Sequence, residues 1–191
     1  MNPGRRLKLT FAGALAATFA LGIAACGSEE ETTTIDGEEA DVVVEGEPLE
    51  LGDLHFNVAI TRFLNPDDVE DAEYLEGLPD PPAGEDYLAV FMSVENEGDD
   101  DLELPTAEQI KIVDITGAVY EPVETDSLFA LDLGASVPAG GEAPAEDTAA
   151  ASGPVQGSFV LFRIPKDAQE DRPFELEMEA DGELGVIELD L

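Results

Sequence analysis

The side chains able to do chemistry in this 191-residue chain are almost all carboxylates: 45 Asp and Glu stand beside one His and one Cys. Nucleophilic sites of the Ser–His–Asp or Cys–His kind need an imidazole base. The sole candidate, His55, falls inside an alternating apolar stretch and reads as an outward or rim histidine. Structural or catalytic zinc needs several His or Cys ligands, which this composition does not supply. A carboxylate-based hydrolase needs two carboxyl groups at a set separation; among 45 acids, pairs at any spacing arise without meaning. No phosphate-cradling glycine loop is present. Calcium is the one cofactor worth weighing, because it takes about six to eight oxygens from clustered carboxylates. The clusters are Asp67, Asp68, Glu70 and Asp71, and then Asp99, Asp100 and Asp101. Neither has the alternate-position ligands and central Gly of an EF-hand loop, and each reads first as a solvated acidic loop. No catalytic residue emerges, and the chain is expected to be non-enzymatic.

The one cysteine has a more definite role. Arg5, Arg6 and Lys8 precede an apolar run from Leu9 to Ile23 that holds no charge. That is the plan of a secretory leader, and the run is short for a membrane span. It ends in Leu21-Gly22-Ile23-Ala24-Ala25-Cys26, which resembles the lipobox of bacterial lipoproteins. The resemblance implies that Cys26 carries a diacylglyceryl thioether, that residues 1–25 are removed as a signal peptide, and that the mature protein is anchored extracytoplasmically in the cell membrane by lipid.

Cleavage before Cys26 leaves 166 residues, enough for one domain and a tail. Such a domain buries roughly two-thirds of its unfolded surface and needs no disulfide or metal to fold. The whole chain has a net charge of −37; the leader takes three of the eight basic residues and no acid, so the mature form stands at −40. A surface of that charge repels nucleic acid and anionic headgroups, whose recognition relies on Lys and Arg. The partners that remain are the membrane, through the lipid on Cys26, and an unknown protein or envelope ligand.

Residues 26–47 are polar, acidic and aperiodic, and read as a disordered tether, with Val42-Val43-Val44 too brief to predict a strand. From Leu49 the period is two. Leu54, Phe56, Val58 and Ile60 share one face of a strand, opposite His55, Asn57, Ala59 and Thr61. Asp67 to Gly84 is an acidic loop with a helical turn over Val69 to Leu75. Tyr87 to Glu95 is apolar on both faces, as a strand covered on both sides must be. Thr116-Gly117 marks a hairpin, and Ser136 to Pro154, rich in Ala, Gly and Pro, reads as a flexible insertion near 136–154. Gly157 to Ile164 is a strand. Phe174, Leu176 and Met178 alternate with Glu175, Glu177 and Glu179, as a sheet with one wet face requires.

About seven short strands with turns between them predict an all-β antiparallel sandwich over residues 48–191. Its core is expected from Val58, Ile60, Leu88, Val90, Met92, Ile112, Phe159, Leu161 and Leu176.

Four pieces in order carry a second resemblance: Pro82 to Val90, Val94 to Gly98, Asp114 to Pro122 and Gly157 to Pro165. They look like a family of secreted or lipid-anchored bacterial domains of unknown function, similar to mycobacterial immunoprotective extracellular antigens. The resemblance implies an immunoglobulin-like fold from about Gly52 to Leu191 and transfers no activity. Within these pieces Asn96 and Gly98 suit a left-handed turn, while Tyr87 and Tyr120 suit a buried ring with its hydroxyl at the rim. The sequence therefore predicts a lipid-anchored module with a binding or envelope role. The alternatives are a cation-dependent adhesion or sensing domain and a carboxylate-based hydrolase.

Overall fold

Strands dominate the computed structural model, which describes residues 31–35 and 37–191; the leader, the lipobox and Cys26 lie outside the described residues. In chain order the strands are β1 (Glu31–Ile35), β2 (Glu38–Val44), β3 (Pro48–Leu51), β4 (Leu54–Leu64), β5 (Glu85–Asn96), β6 (Leu102–Glu103) and β7 (Ile110–Asp114). There follow β8 (Val119–Tyr120), β9 (Ser136–Val137), β10 (Glu142–Ala143), β11 (Ser158–Pro165), β12 (Phe174–Ala180) and β13 (Glu183–Leu189). Two short helices, α1 (Val69–Tyr74) and α2 (Ala149–Ser152), and a 3-10 turn at Ala168–Glu170 complete the elements.

One sheet has the order β1-β2-β13-β12-β7-β8. The other runs β3-β4-β5, with β11 and then β10 along the far edge of β5. The pairings are antiparallel except for β2 with β13. The sheets face each other over Leu54, Phe56 and Val58 from β4, Leu88, Val90, Met92 and Val94 from β5, and Ile112, Leu176 and Ile187 from the first sheet. This is the expected immunoglobulin-like antiparallel β-sandwich. Gly185 lets the sheets close: a Cβ there would come within 2.7 Å of a Leu49 methyl on β3.

The strand β5 is buried on both faces, as its sequence requires. Its second face packs outside the sandwich, where Tyr87, Ala89 and Phe91 meet Leu64, Tyr74, Phe159 and Leu161. Tyr74 makes edge-on contacts to Phe91, Phe129 and Phe159 at centroid distances of 5.0, 4.9 and 5.9 Å.

Four expectations change. The tether over 26–47 is corrected from Glu31 onward, because β1 and β2 form a hairpin and β2 joins β13 in register from Leu184↔Ala40 to Glu188↔Val44. Pairing supplies what local composition lacked: the Glu45 N–H donates to Glu188 O, the Gly46 N–H to Val58 O, and the Glu45 carboxylate accepts from the N–H groups of Thr61 and Asp190. The insertion near 136–154 contains β9, β10 and α2, the helix capped by Thr148. Ile60 leaves the core. The β4–β5 register slips between Val58 and Ile60, and this bulge turns Ile60 outward and Thr61 inward. Phe159 and Leu161 belong to the outer cluster, while Val160, Phe162 and Ile164 fill the sandwich.

These assignments set opposite expectations for two neighbouring apolar positions. Phe91→Ala should cost about 3–5 kcal/mol by opening a cavity among packed rings. Ile60→Thr should stay within about 0.5 kcal/mol. Urea unfolding of both variants checks this, and equal losses would mean that the bulge is misplaced.

Candidate functional site

The acidic clusters are separated by the jobs their members already do. Asp68 caps α1, its side chain accepting from the Glu70 N–H at 2.9 Å. Asp71 lies on the buried side of the same helix, 3% exposed. One of its oxygens stands 2.6 Å from an Arg62 guanidinium nitrogen, and the other accepts from the Asn65 N–H at 2.8 Å. Asp67 and Glu70 are exposed. In the second cluster Asp99, Asp100 and Asp101 are all exposed, and Asp101 accepts from the Ala139 N–H at 3.1 Å. Among the described residues, no group of three or more His, Cys, Asp or Glu is placed to hold one metal ion. His55 is half-buried at the rim, 3.8 Å from Glu97.

Asn96 works otherwise than expected. Neither it nor Gly98 has a positive φ. Asn96 is buried, and its amide donates to Asp100 O and Val137 O at 2.9 Å while its oxygen accepts from the Gly98 N–H. It ties the turn after β5 to β9. Tyr87 and Tyr120 behave as expected, each reaching an acceptor with its hydroxyl: Pro79 O at 3.1 Å and Asp114 at 2.7 Å.

Two constellations were not legible in the sequence. The first is the clamp of Arg62, Asp71 and Tyr74. The guanidinium stands 5.8 Å from the ring centroids of both Tyr74 and Phe91, so the ion pair lies against aromatic faces and fixes α1 over the outer side of β5. The second is Asp114 at the end of β7. Its carboxylate accepts from the Thr116 N–H and hydroxyl, the Ala118 N–H and the Tyr120 hydroxyl, at 2.7–3.0 Å. Burial pulls its pKa upward, but these four bonds outweigh it and hold the carboxyl at about 2. Burial first, and then the Asp114 carboxylate, pushes Tyr120 above its ordinary value. A carboxylate holding four hydrogen bonds closes the β7–β8 turn.

Glu175 is the described carboxyl pushed upward, by burial and then by Glu177 and Glu188. It sits across from Glu188 on β13 and two residues from Glu177 on the same wet face of β12, where Glu177 bonds Lys111 at 2.9 Å. The three acids lie side by side on an open sheet, whereas a glycosidase pair faces across a cleft.

No protein-family model matches the sequence, and a search of curated proteins gives no match. The fold does have solved counterparts. The chain is similar to an uncharacterised β-sandwich protein from Clostridium difficile 630, with a TM-score of 0.50 at 15% identity over 83% of this chain and 99% of that one. A secreted protein of Mycobacterium tuberculosis, MPT63, aligns with a TM-score of 0.49 at 15% identity, over 78% of this chain and 97% of its own. A Bacillus subtilis protein proposed to be a lipoprotein aligns at 0.48 and 11% identity, over 78% of this chain and 39% of its own. The first of these likenesses agrees with the β-sandwich architecture described above.

The Asp114 geometry carries a pH prediction. Its folded pKa lies below the ordinary 3.8, so its stabilisation is present above about pH 4 and is lost as pH falls towards 2. The contribution is on the order of 2 kcal/mol. Asp114→Asn should remove most of it at pH 7 and flatten the acid limb, read by urea unfolding between pH 7 and 2. An unchanged acid limb would show that other carboxylates dominate.

Proposed function

We propose that the protein is a lipid-anchored, extracytoplasmic immunoglobulin-like module of bacterial type, with a non-enzymatic binding or envelope role. The observation that carries the reading is the leader ending in Leu21 to Cys26, joined to an all-β sandwich. The described carboxylates with displaced pKa support a module rather than an enzyme, since Asp114 is spent on a turn and Glu175 lies on an open sheet face. The ligand on this reading is a protein or envelope component that tolerates a strongly acidic surface. A calcium-dependent role is the weaker alternative, because Asp68, Asp71 and Asp101 already accept protein hydrogen bonds.

Two experiments test this. Cys26→Ser, expressed in a lipoprotein-processing host, should move the protein from the membrane fraction to the medium or leave it as an uncleaved precursor. A wild-type N-terminal peptide without lipid mass sinks the anchor. Sodium chloride should raise the melting temperature of the mature domain steadily as it screens the −40 charge. Calcium added in high salt should add nothing; a clear shift abolished by Asp100→Asn would favour the cation-dependent role.

A further inference from the structure

The register of the first sheet gives the sandwich a near end and a far end with respect to Cys26. Glu31 stands opposite Val42, and β1 runs antiparallel to β2, so the chain enters Glu31 from the side of Val44. Beyond Val44 on that side lie the β7–β8 turn, about three ladder positions (~10 Å) past the row of Glu31, and the connection from β11 to β12. Four residues, and so five Cα–Cα steps, separate Cys26 from Glu31. These steps span at most about 18 Å, whatever the conformation. A lipid on Cys26 therefore keeps the domain within about one sandwich thickness of the bilayer.

Two further features distinguish this near end. Three large apolar side chains are exposed there: Ile115 at 65%, Val119 at 54% and Val44 at 49%. Val44 and Val119 end one row of the sheet, Val44–Glu188–Glu175–Val113–Val119, and so stand four strands (about 19 Å) apart with Glu188 and Glu175 between them, while Ile115 lies in the hairpin turn beside Val119. Charge is the other feature. Of the five Lys and Arg outside the leader, Arg163, Lys166 and Arg172 fall in or beside the β11–β12 connection, together with Asp167, Glu170 and Asp171; Arg163 stands against Glu85 and Lys166 against Asp86. The opposite turns carry Asp53, Glu97, Asp99 to Asp101, Asp181 and Glu183 with no Lys or Arg among them. These turns meet at the far end, where the Gly52 N–H donates to Glu183 and the Glu97 N–H to Asp53 O.

From this we infer that the end formed by the β7–β8 turn, the tail of β2 and the β11–β12 connection rests against the lipid surface, with Ile115 in the headgroup layer and the acidic turns facing away. The inference rests on the lipid anchor proposed above. Short reach holds the domain at the bilayer with this end nearest to it, and exposed apolar side chains there favour the interface.

The test uses the full lipidated protein on phosphatidylcholine vesicles containing phosphatidylglycerol and a nitroxide-headgroup lipid. Because a lipidated Cys26 has no free thiol, Ile115→Cys and Asp100→Cys can each be labelled singly with a fluorophore; both sites are exposed. Both variants should pellet with vesicles, and the label at 115 should be quenched several-fold more than the label at 100. Pelleting with equal or reversed quenching overturns the orientation and leaves the anchor standing. Failure of both variants, and of the wild type, to pellet overturns the anchor and the orientation together.

Discussion

The structure depends on one strand being apolar on both sides. Residues Leu88, Val90, Met92 and Val94 of β5 belong to the sandwich core, while Tyr87, Ala89 and Phe91 point the other way. A sandwich needs only one dry face per sheet, so the outer face of β5 has to be covered by something that is not a sheet. The chain does this with α1, Leu75, Leu78 and the segment from Val123 to Ala130. That segment also hydrogen-bonds the free edge of β11, through Val123 N–H to Leu161 O and Phe159 N–H to Phe129 O. One cover thus solves two problems, an apolar face and an exposed strand edge.

Holding this cover in place explains where polar groups are allowed inside. A six-residue helix is too short to be stable alone. It is fixed by the Tyr74 ring among Phe91, Phe129 and Phe159, by the Tyr74 hydroxyl accepting from the Val155 N–H, and by the Arg62–Asp71 pair. With 45 acids competing for surface, the two buried carboxylates among the described residues are Asp71, paired with Arg62 and bonded by the Asn65 N–H, and Asp114, bonded four times. The remaining acids crowd the wet faces, and Glu175 between Glu177 and Glu188 is a carboxyl driven up by burial first and then by its like-charged neighbours.

What the sequence made legible follows from how local the deciding interaction is. The alternation of β12 and the two-sided β5 are written in consecutive residues, and both were read correctly, as was the turn of helix at α1. The faces of β11 were not, because Phe159 to Ile164 is apolar at nearly every position; only its register with β5, Phe159↔Phe91 and Val160↔Val90, decides which side is inside. Ile60 was lost to a bulge that leaves no signature in the alternation. The N-terminal strands were hidden for a different reason. Glu38–Val44 is half acidic, and its partner β13 lies some 140 positions away, so no local window contains what orders it. The Asp114 staple was within reach of local reading, since Asp114, Thr116 and Gly117 have turn chemistry, but the Tyr120 hydroxyl needed the hairpin to bring it back.

The N-terminal correction has the largest consequence for how such a module would work. A disordered stretch of some twenty residues reaches on the order of 25 Å and leaves a domain free to turn in any direction. Once β1 and β2 are part of the sheet, the link shrinks to the residues before Glu31, and its exit point becomes a fixed feature of the fold. The β2–β13 ladder docks that segment, and Glu45 adds to it, bonding β13 and, through its carboxylate, both Thr61 and Asp190. Losing that carboxylate would leave the core intact but loosen the one crossing that joins β2 to both sheets. Residue 45 thus ties the end of β2 to both sheets, adding to a β2–β13 ladder of five paired positions that itself holds the segment against the fold.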